Sequence, residues 1–255
     1  YIVPEFTKNQ KFELFSTKVI AEFIEAKNLG IITKPVLIGP VSYLLLGKEK
    51  EDGFHRIDLI YNLLPVYFEI LKKLETEGAE YIQLDEPFLA LNLTDKERDA
   101  ITYVYSEISK NFPSLKIILA NYFDCFGENL ETVLALPVNT LHLDLVRCSS
   151  QLDDILDSGK LASNVNLSLG VVDGRNIWKN DFKKSLALIE KAVTALGENR
   201  ILVASSCSLI HSPCDLDLET NDATLTPEIK QWLAFAKQKI QEVSLLKQLA
   251  SNEID

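Results

Sequence analysis

The alternation of two hydrophobic periods along the chain restricts its fold more than any other feature. Six short, β-rich apolar runs stand at Pro35–Val41 (PVLIGPV), Tyr81–Leu84 (YIQL), Lys116–Ala120 (KIILA), Thr140–Leu145 (TLHLDL), Leu167–Val172 (LSLGVV) and Arg200–Ala204 (RILVA). Most lack the polar alternation of a half-wetted strand, the pattern expected of strands buried on both faces. Successive runs start 24 to 46 residues apart, room for a strand, a crossover helix and two loops. The rhythm therefore predicts parallel strands joined by right-handed crossovers.

The segments between the runs read as helices. Ile60, Leu63, Leu64, Tyr67, Leu71 and Leu74 mark one apolar face at helical spacing. Thr94-Asp-Lys-Glu97 has the form of a capping box. Thr226-Pro227 predicts a helix start, with Ile229, Leu233, Ala236, Ile240, Val243 and Leu246 continuing one stripe. Residues 1–34 show a helical pattern from Phe12 to Leu29 and no strand. No low-complexity tract divides the chain, so residues 1–255 are expected to form a single domain. The fold class expected is α/β, a TIM-type (β/α)8 barrel lacking its first two βα units. A doubly wound sheet fits less well, because no GxGxxG turn follows a first strand. Truncation predicts open ladder edges on the runs at Pro35 and Arg200, covered by a neighbouring molecule, by Tyr1–Leu29 or by residues outside the sequence.

Composition narrows the class of function. The 255 residues carry 26 Lys+Arg against 37 Asp+Glu, a net charge of −11, with 47% hydrophobic and 25% charged residues. That balance excludes disorder and gives no basic footprint for nucleic acid. No apolar run approaches the ~20 residues that span a bilayer, so no membrane partner is expected. Cys125, Cys148, Cys207 and Cys214 match neither a CxxC pair nor a disulfide scaffold, and are expected to be free thiols in a reducing cytoplasm. The first residues, YIVPEF, lack a signal-peptide pattern. With no methionine at all, the chain is expected to be processed or part of something longer.

In either α/β architecture ligands lie beyond the C-terminal strand ends, so those ends hold the candidate residues. Asp85-Glu86-Pro87 follows the second run. Its carboxylates point opposite ways, and either one accepts a ligand amine or a metal-bound water, or pairs with a rim cation. Asn121 ends the third run. His142 and Asp144 share one face of the fourth, as a metal or base–orienter pair or as hydrogen-bonded core groups, and Arg147 follows. Asp173-Gly-Arg175 ends the fifth, where Arg175 holds a ligand carboxylate or pairs with Asp173 or Asp144. The sixth leads to Cys207, His211 and Cys214, a spacing unlike a structural zinc finger.

The strings KPVLIGPVSYLLLGK (34–48), IQLDEP (82–87), LHLDLV (141–146), GVVDGRNIW (170–178) and VASSCSLIHSP (203–213) occur in register. Together they resemble the cobalamin-independent methionine synthase family over essentially the whole chain. The resemblance implies two face-to-face β/α barrels that move a methyl group from 5-methyltetrahydropteroyl-polyglutamate to homocysteine, with the substrate thiol activated on zinc. The family's catalytic C-terminal barrel carries His-Met-Cys-Tyr, a glutamate and Asp-Cys-Gly where this chain has Leu119-Ala-Asn121-Tyr, Leu143-Asp144 and Ser206-Cys207-Ser. Only Cys207 matches a ligand, which implies the non-catalytic N-terminal half, with no catalytic residue and no metal of its own. Zinc is then in the other barrel of the same polypeptide. The basic loop and lysine that the family uses for the polyglutamate tail precede this sequence. Lys48, Asp85, Glu86, Asn121, Asp144, Arg147, Arg175 and Cys207 are left as candidate substrate contacts. The alternatives are a stand-alone folate-polyglutamate binding module and a small zinc-thiol methyltransferase using Cys207.

Overall fold

The computed structural model describes residues 2–251 and divides the chain into two compact units. The first runs to Asn121 and includes Phe126–Leu141; the second comprises Tyr122–Cys125 and the chain from His142 onward.

The first unit contains β1 (Glu5–Phe6), α1 (Lys18–Asn28), β2 (Val36–Ile38), α2 (Pro40–Leu46), β3 (Lys48–Glu49), α3 (Ile60–Thr76), β4 (Tyr81–Asp85), α4 (Asp95–Asn111), β5 (Lys116–Ala120) and α5 (Leu130–Leu134). β2, β4 and β5 pair in parallel, with Val36 opposite Gln83 and Asp85 opposite Ala120. All six residues of the expected α3 stripe are buried. The capping box at Thr94 forms as expected. Thr94 Oγ1 accepts the Glu97 N–H, and the Glu97 carboxylate accepts the Thr94 N–H at 2.8 Å. Two boundaries differ from expectation. The run Pro35–Val41 stops being a strand at Ile38, because Pro40 lacks a ladder donor and instead opens α2. Residues 1–34 hold the two-residue β1, parallel to β3, and their helix starts at Lys18 rather than Phe12. That helix lies along α3, where Lys27 Nζ donates to the Glu77 carbonyl at 2.6 Å. Val36 at the β2 edge remains 47% exposed.

β6 (Thr140–Asp144) is buried throughout and passes from the first unit into the second at His142. The second unit continues with α6 (Gln151–Asp157), β7 (Asn166–Val172), α7 (Phe182–Leu196), β8 (Ile201–Ser205), α8 (Pro227–Lys230) and α9 (Ala236–Ala250). β7 and β8 are parallel, with Leu167 opposite Ile201 and a register shift between Gly170 and Val172. The single helix expected after Thr226 is broken at Gln231–Phe235. That stretch lies antiparallel to residues 177–179: Leu233 bridges Trp178, and the Ala234 N–H donates to the Ile177 carbonyl at 2.8 Å. The buried face of α9 is Lys239, Glu242 and Leu246, while Ile240 of the expected stripe is 61% exposed. No helix among the described residues is long and apolar enough to cross a membrane.

Candidate functional site

The eight candidate residues divide evenly between the two units. Lys48, Asp85, Glu86 and Asn121 belong to the first unit; Asp144, Arg147, Arg175 and Cys207 belong to the second.

In the first unit, Glu86 is wholly buried. Its carboxylate accepts the Ser42 N–H at 2.6 Å, the Val41 N–H at 3.3 Å and the Tyr105 hydroxyl at 3.4 Å. The first amides of a helix have no partner within the helix, so an internal anion at the start of α2 satisfies two of them. Burial nevertheless pushes the Glu86 carboxyl up to about 7, against the hydrogen bonds that favour its charge. Gly39 makes the arrangement possible, since a Cβ there would lie 2.1 Å from the Glu86 carboxyl carbon. Asp85 is half-buried and accepts from Gln83 Nε2 at 2.7 Å. Asn121 is buried just beyond β5, whereas Lys48 is exposed on β3, its N–H donating to the Pro4 carbonyl at 2.9 Å. Of the two adjacent carboxylates, the more acidic-looking motif is thus split into a helix cap and a strand-end group.

The second unit gathers the denser arrangement. Asp144, almost fully buried at the end of β6, accepts three backbone N–H groups: Phe123 at 2.9 Å, Val146 at 3.1 Å and Arg147 at 2.9 Å. Burial raises the Asp144 carboxyl and these donors oppose the rise. Phe123 has φ of +81°, the single positive value for a non-glycine among the described residues. Its ring packs against Tyr122 and His211, and the exposed Arg175 guanidinium lies 4.6 Å from the ring centroid. Arg147 is exposed, so both arginines present charge to solvent. The Arg175 N–H donates to Asp173 Oδ1 at 2.8 Å.

His142 is a core histidine. Its Nε2 lies 3.1 Å from the Ser206 carbonyl and its Nδ1 2.9 Å from Ser168 Oγ. A carbonyl accepts only, so Nε2 carries the proton and Nδ1 accepts the serine hydroxyl. Cys207 is buried against Gly174, where any Cβ would lie 3.0 Å from the thiol sulfur. Burial pushes its thiol up to about 11. His211 and Cys214 are exposed. This donor set does not fit a zinc ion: the acid is held by three amides and both imidazole nitrogens are bonded within the core, which leaves a single thiol. Leu119 and Asn121 occupy the positions that the resemblance assigns to ligands.

Three features went unnoticed in the sequence. The expectation of four free thiols is corrected by a disulfide between Cys125 and Cys148, whose Cα atoms lie 5.4 Å apart. Cys207 and Cys214 are the free cysteines. A separation of 23 residues gave no signal, because pairing is set by the fold bringing residues 122–125 beside the end of β6. Lys239 is buried, its Nζ donating to Asn176 Oδ1 and the Trp178 carbonyl, each at 3.0 Å. Beside the segment it holds, a cavity of about 650 Å³ is lined by Val146, Asp173, Trp178 and Lys184 among others.

Parallel strands alternating with helices, with polar and charged residues gathered after the strand ends, define an α/β protein of the barrel-related class. Residues 1–197 match the family described as cobalamin-independent synthase, N-terminal domain, and the chain belongs to that family. It is 82% identical over 255 residues to a 5-methyltetrahydropteroyltriglutamate–homocysteine methyltransferase of Flavobacterium johnsoniae, covering 100% of this chain and 33% of that protein. A protein of the same name from Cytophaga hutchinsonii is 60% identical, over 98% of this chain and 32% of its own length. The chain thus spans about a third of the curated relatives it matches. A B12-independent methionine synthase structure from Shewanella sp. W3-18-1 superposes with a TM-score of 0.67 at 13% identity, over 97% of this chain and 70% of the other. At that identity the likeness shows the fold, in accord with the partial TIM-type barrel read from the strand rhythm.

Proposed function

We propose that this chain is most of the N-terminal barrel of a longer methyltransferase, one that moves a methyl group from 5-methyltetrahydropteroyl-polyglutamate to homocysteine in the cytoplasm. Its part is scaffold and one wall of the folate cleft, and the zinc chemistry is carried by a C-terminal barrel of the same polypeptide. The observation that carries this reading is the commitment of the strand-end donors to structure. Asp144 is held by three amides, and the thiol of Cys207 remains protonated at neutral pH. A small methyltransferase built on Cys207 needs a thiolate there, and the buried site opposes one.

The groups left to meet an anionic ligand are the exposed Arg147 and Arg175, with Lys48 in the first unit. Cation contacts of this kind are screened by salt, so a polyglutamate tail held by them binds more weakly as ionic strength rises. The test is an assay of methionine formation from homocysteine and a triglutamate methylfolate. The expected result is no turnover by this chain alone, and retained turnover when Cys207→Ser is placed in the full-length protein. Turnover by the isolated chain, or its loss in full-length Cys207→Ser with the fold intact, overturns the reading.

A further inference from the structure

The second unit brings together Asp124, Cys125 and Cys148, with one ligand atom from each lying within 4.8 Å of the others. This cluster is distinct from Cys207, which belongs to the end of β8. Cys148 is buried, Cys125 is half-buried and Asp124 is exposed. Two soft donors therefore sit at the base with a carboxylate at the solvent side. The Cys125 N–H donates to Asp124 Oδ1 at 2.8 Å, which turns the acid back toward its own cysteine. Cys148 is fixed independently: its N–H donates to the Asp144 carbonyl at 3.1 Å. The neighbouring Phe123 N–H is held by the Asp144 carboxylate. Both cysteine-bearing segments are thus anchored to one residue, and the anchoring does not depend on the S–S bond.

We propose that, when the Cys125–Cys148 disulfide is reduced, Cys125, Cys148 and Asp124 form a site for a thiophilic divalent cation of the zinc type. The oxidised and metal-bound states exclude each other, because the same two sulfur atoms make either bond. Reduction breaks the S–S bond with two electrons and two protons from a dithiol, itself oxidised to a disulfide. A phosphine serves equally, becoming a phosphine oxide with its oxygen taken from water. Cation binding then forms two metal–sulfur bonds and releases both thiol protons to solvent. A tetrahedral ion about 2.3 Å from each sulfur needs the sulfurs about 3.8 Å apart. The side chains reach that spacing by rotation about χ1, with the Cα atoms 5.4 Å apart at the outset. Two thiolates and one carboxylate leave the fourth position to water, and softness favours zinc or cobalt over magnesium or calcium.

The test is cobalt titration of this chain after anaerobic reduction with a phosphine and removal of the reductant. The expected result is one equivalent bound, with thiolate-to-cobalt charge-transfer absorption and tetrahedral d–d bands, displaced by zinc. The bands should be absent from the unreduced chain, retained in Cys207→Ser/Cys214→Ser, lost in Cys125→Ser and Cys148→Ser, and shifted to higher cobalt in Asp124→Asn. A readout free of folding defects uses the unaltered reduced chain: zinc should protect Cys125 and Cys148, but not Cys214, from iodoacetamide in peptide mass spectra. No charge-transfer band, bands that survive Cys125→Ser, or alkylation of Cys125 and Cys148 unchanged by zinc each overturn the proposal.

Discussion

Asp144 receives the N–H of Phe123 at 2.9 Å, and so holds in place the one non-glycine residue of positive φ among those described. A left-handed bulky residue costs about 1–2 kcal/mol, and a buried carboxylate with three amide donors is what offsets it. The relationship gives the first prediction. Asp144→Asn keeps the shape but replaces one acceptor oxygen with an NH2 that faces backbone donors. Stability should fall by about 2–4 kcal/mol, read as a lowered urea midpoint at unchanged m-value. The Arg175 contact with the Phe123 ring should loosen with it, seen as faster amide exchange at Phe123. A variant as stable as the parent shows that Asp144 does not set this loop.

Glu86 predicts a pH dependence. Its carboxyl sits at about 7 in the folded chain against 4.5 for the free group. Between those values the folded state keeps a proton that the unfolded state has released. Stability is therefore full below about pH 4.5 and declines as pH rises through about 7, by about 3 kcal/mol in all. Glu86→Gln removes this contribution. Denaturation of both proteins at about pH 5 and about pH 8 should show the parent losing stability relative to the variant at the higher pH. Parallel pH profiles count against the assignment.

Much of the fold is legible before any coordinates, and the reasons are physical. β5 is apolar after Lys116, β6 and β7 are buried over nearly their whole length, and the α3 stripe repeats for more than four turns, so periodicity suffices. β1 is too short, at two residues, to show any period. The end of the chain misleads for a different reason: Ile229, Leu233 and Ala236 keep helical spacing, yet tertiary pairing with Trp178 takes Leu233 out of the helix. The burial of Lys239 in place of Ile240 inverts the usual pattern, because carbonyl and amide oxygens at Asn176 and Trp178 await the ammonium. At the candidate site the residue types after each strand were readable. Their commitments were not, since the Cys125–Cys148 pairing and the Phe123 amide on Asp144 come from segments distant in sequence, 23 and 21 residues away.

Cys207 should behave as an inert thiol. Held up to about 11 by burial, it is only about one part in ten thousand thiolate at neutral pH. Iodoacetamide on the folded, unreduced chain should label the exposed Cys214 and spare Cys207, with both labelled in denaturant. Mass spectrometry of the peptides reads the result directly. Rapid native labelling of Cys207 shows an activated sulfur and revives a nucleophilic role for it.

Lys239 joins α9 to the segment that borders the cavity, and its removal should loosen that wall. Burial lowers the Lys239 amine, and the nearby Glu242 pulls the other way. Glu242, raised by its own burial, accepts the Asn180 N–H at 2.9 Å. Lys239→Met fills similar volume but leaves Asn176 Oδ1 and the Trp178 carbonyl without their donor, a cost of about 2–3 kcal/mol. It also removes one of the two cations, Lys239 and Lys179, that favour the Glu242 charge, so Glu242→Gln added to Lys239→Met should cost less than the two single changes together. Urea unfolding of the four proteins completes the cycle. Hydrogen exchange should quicken at Lys179 and Asn180, whose amides are bonded to Trp232 and Glu242. Additive losses with unchanged exchange at those amides mean that α9 packs there without holding the segment.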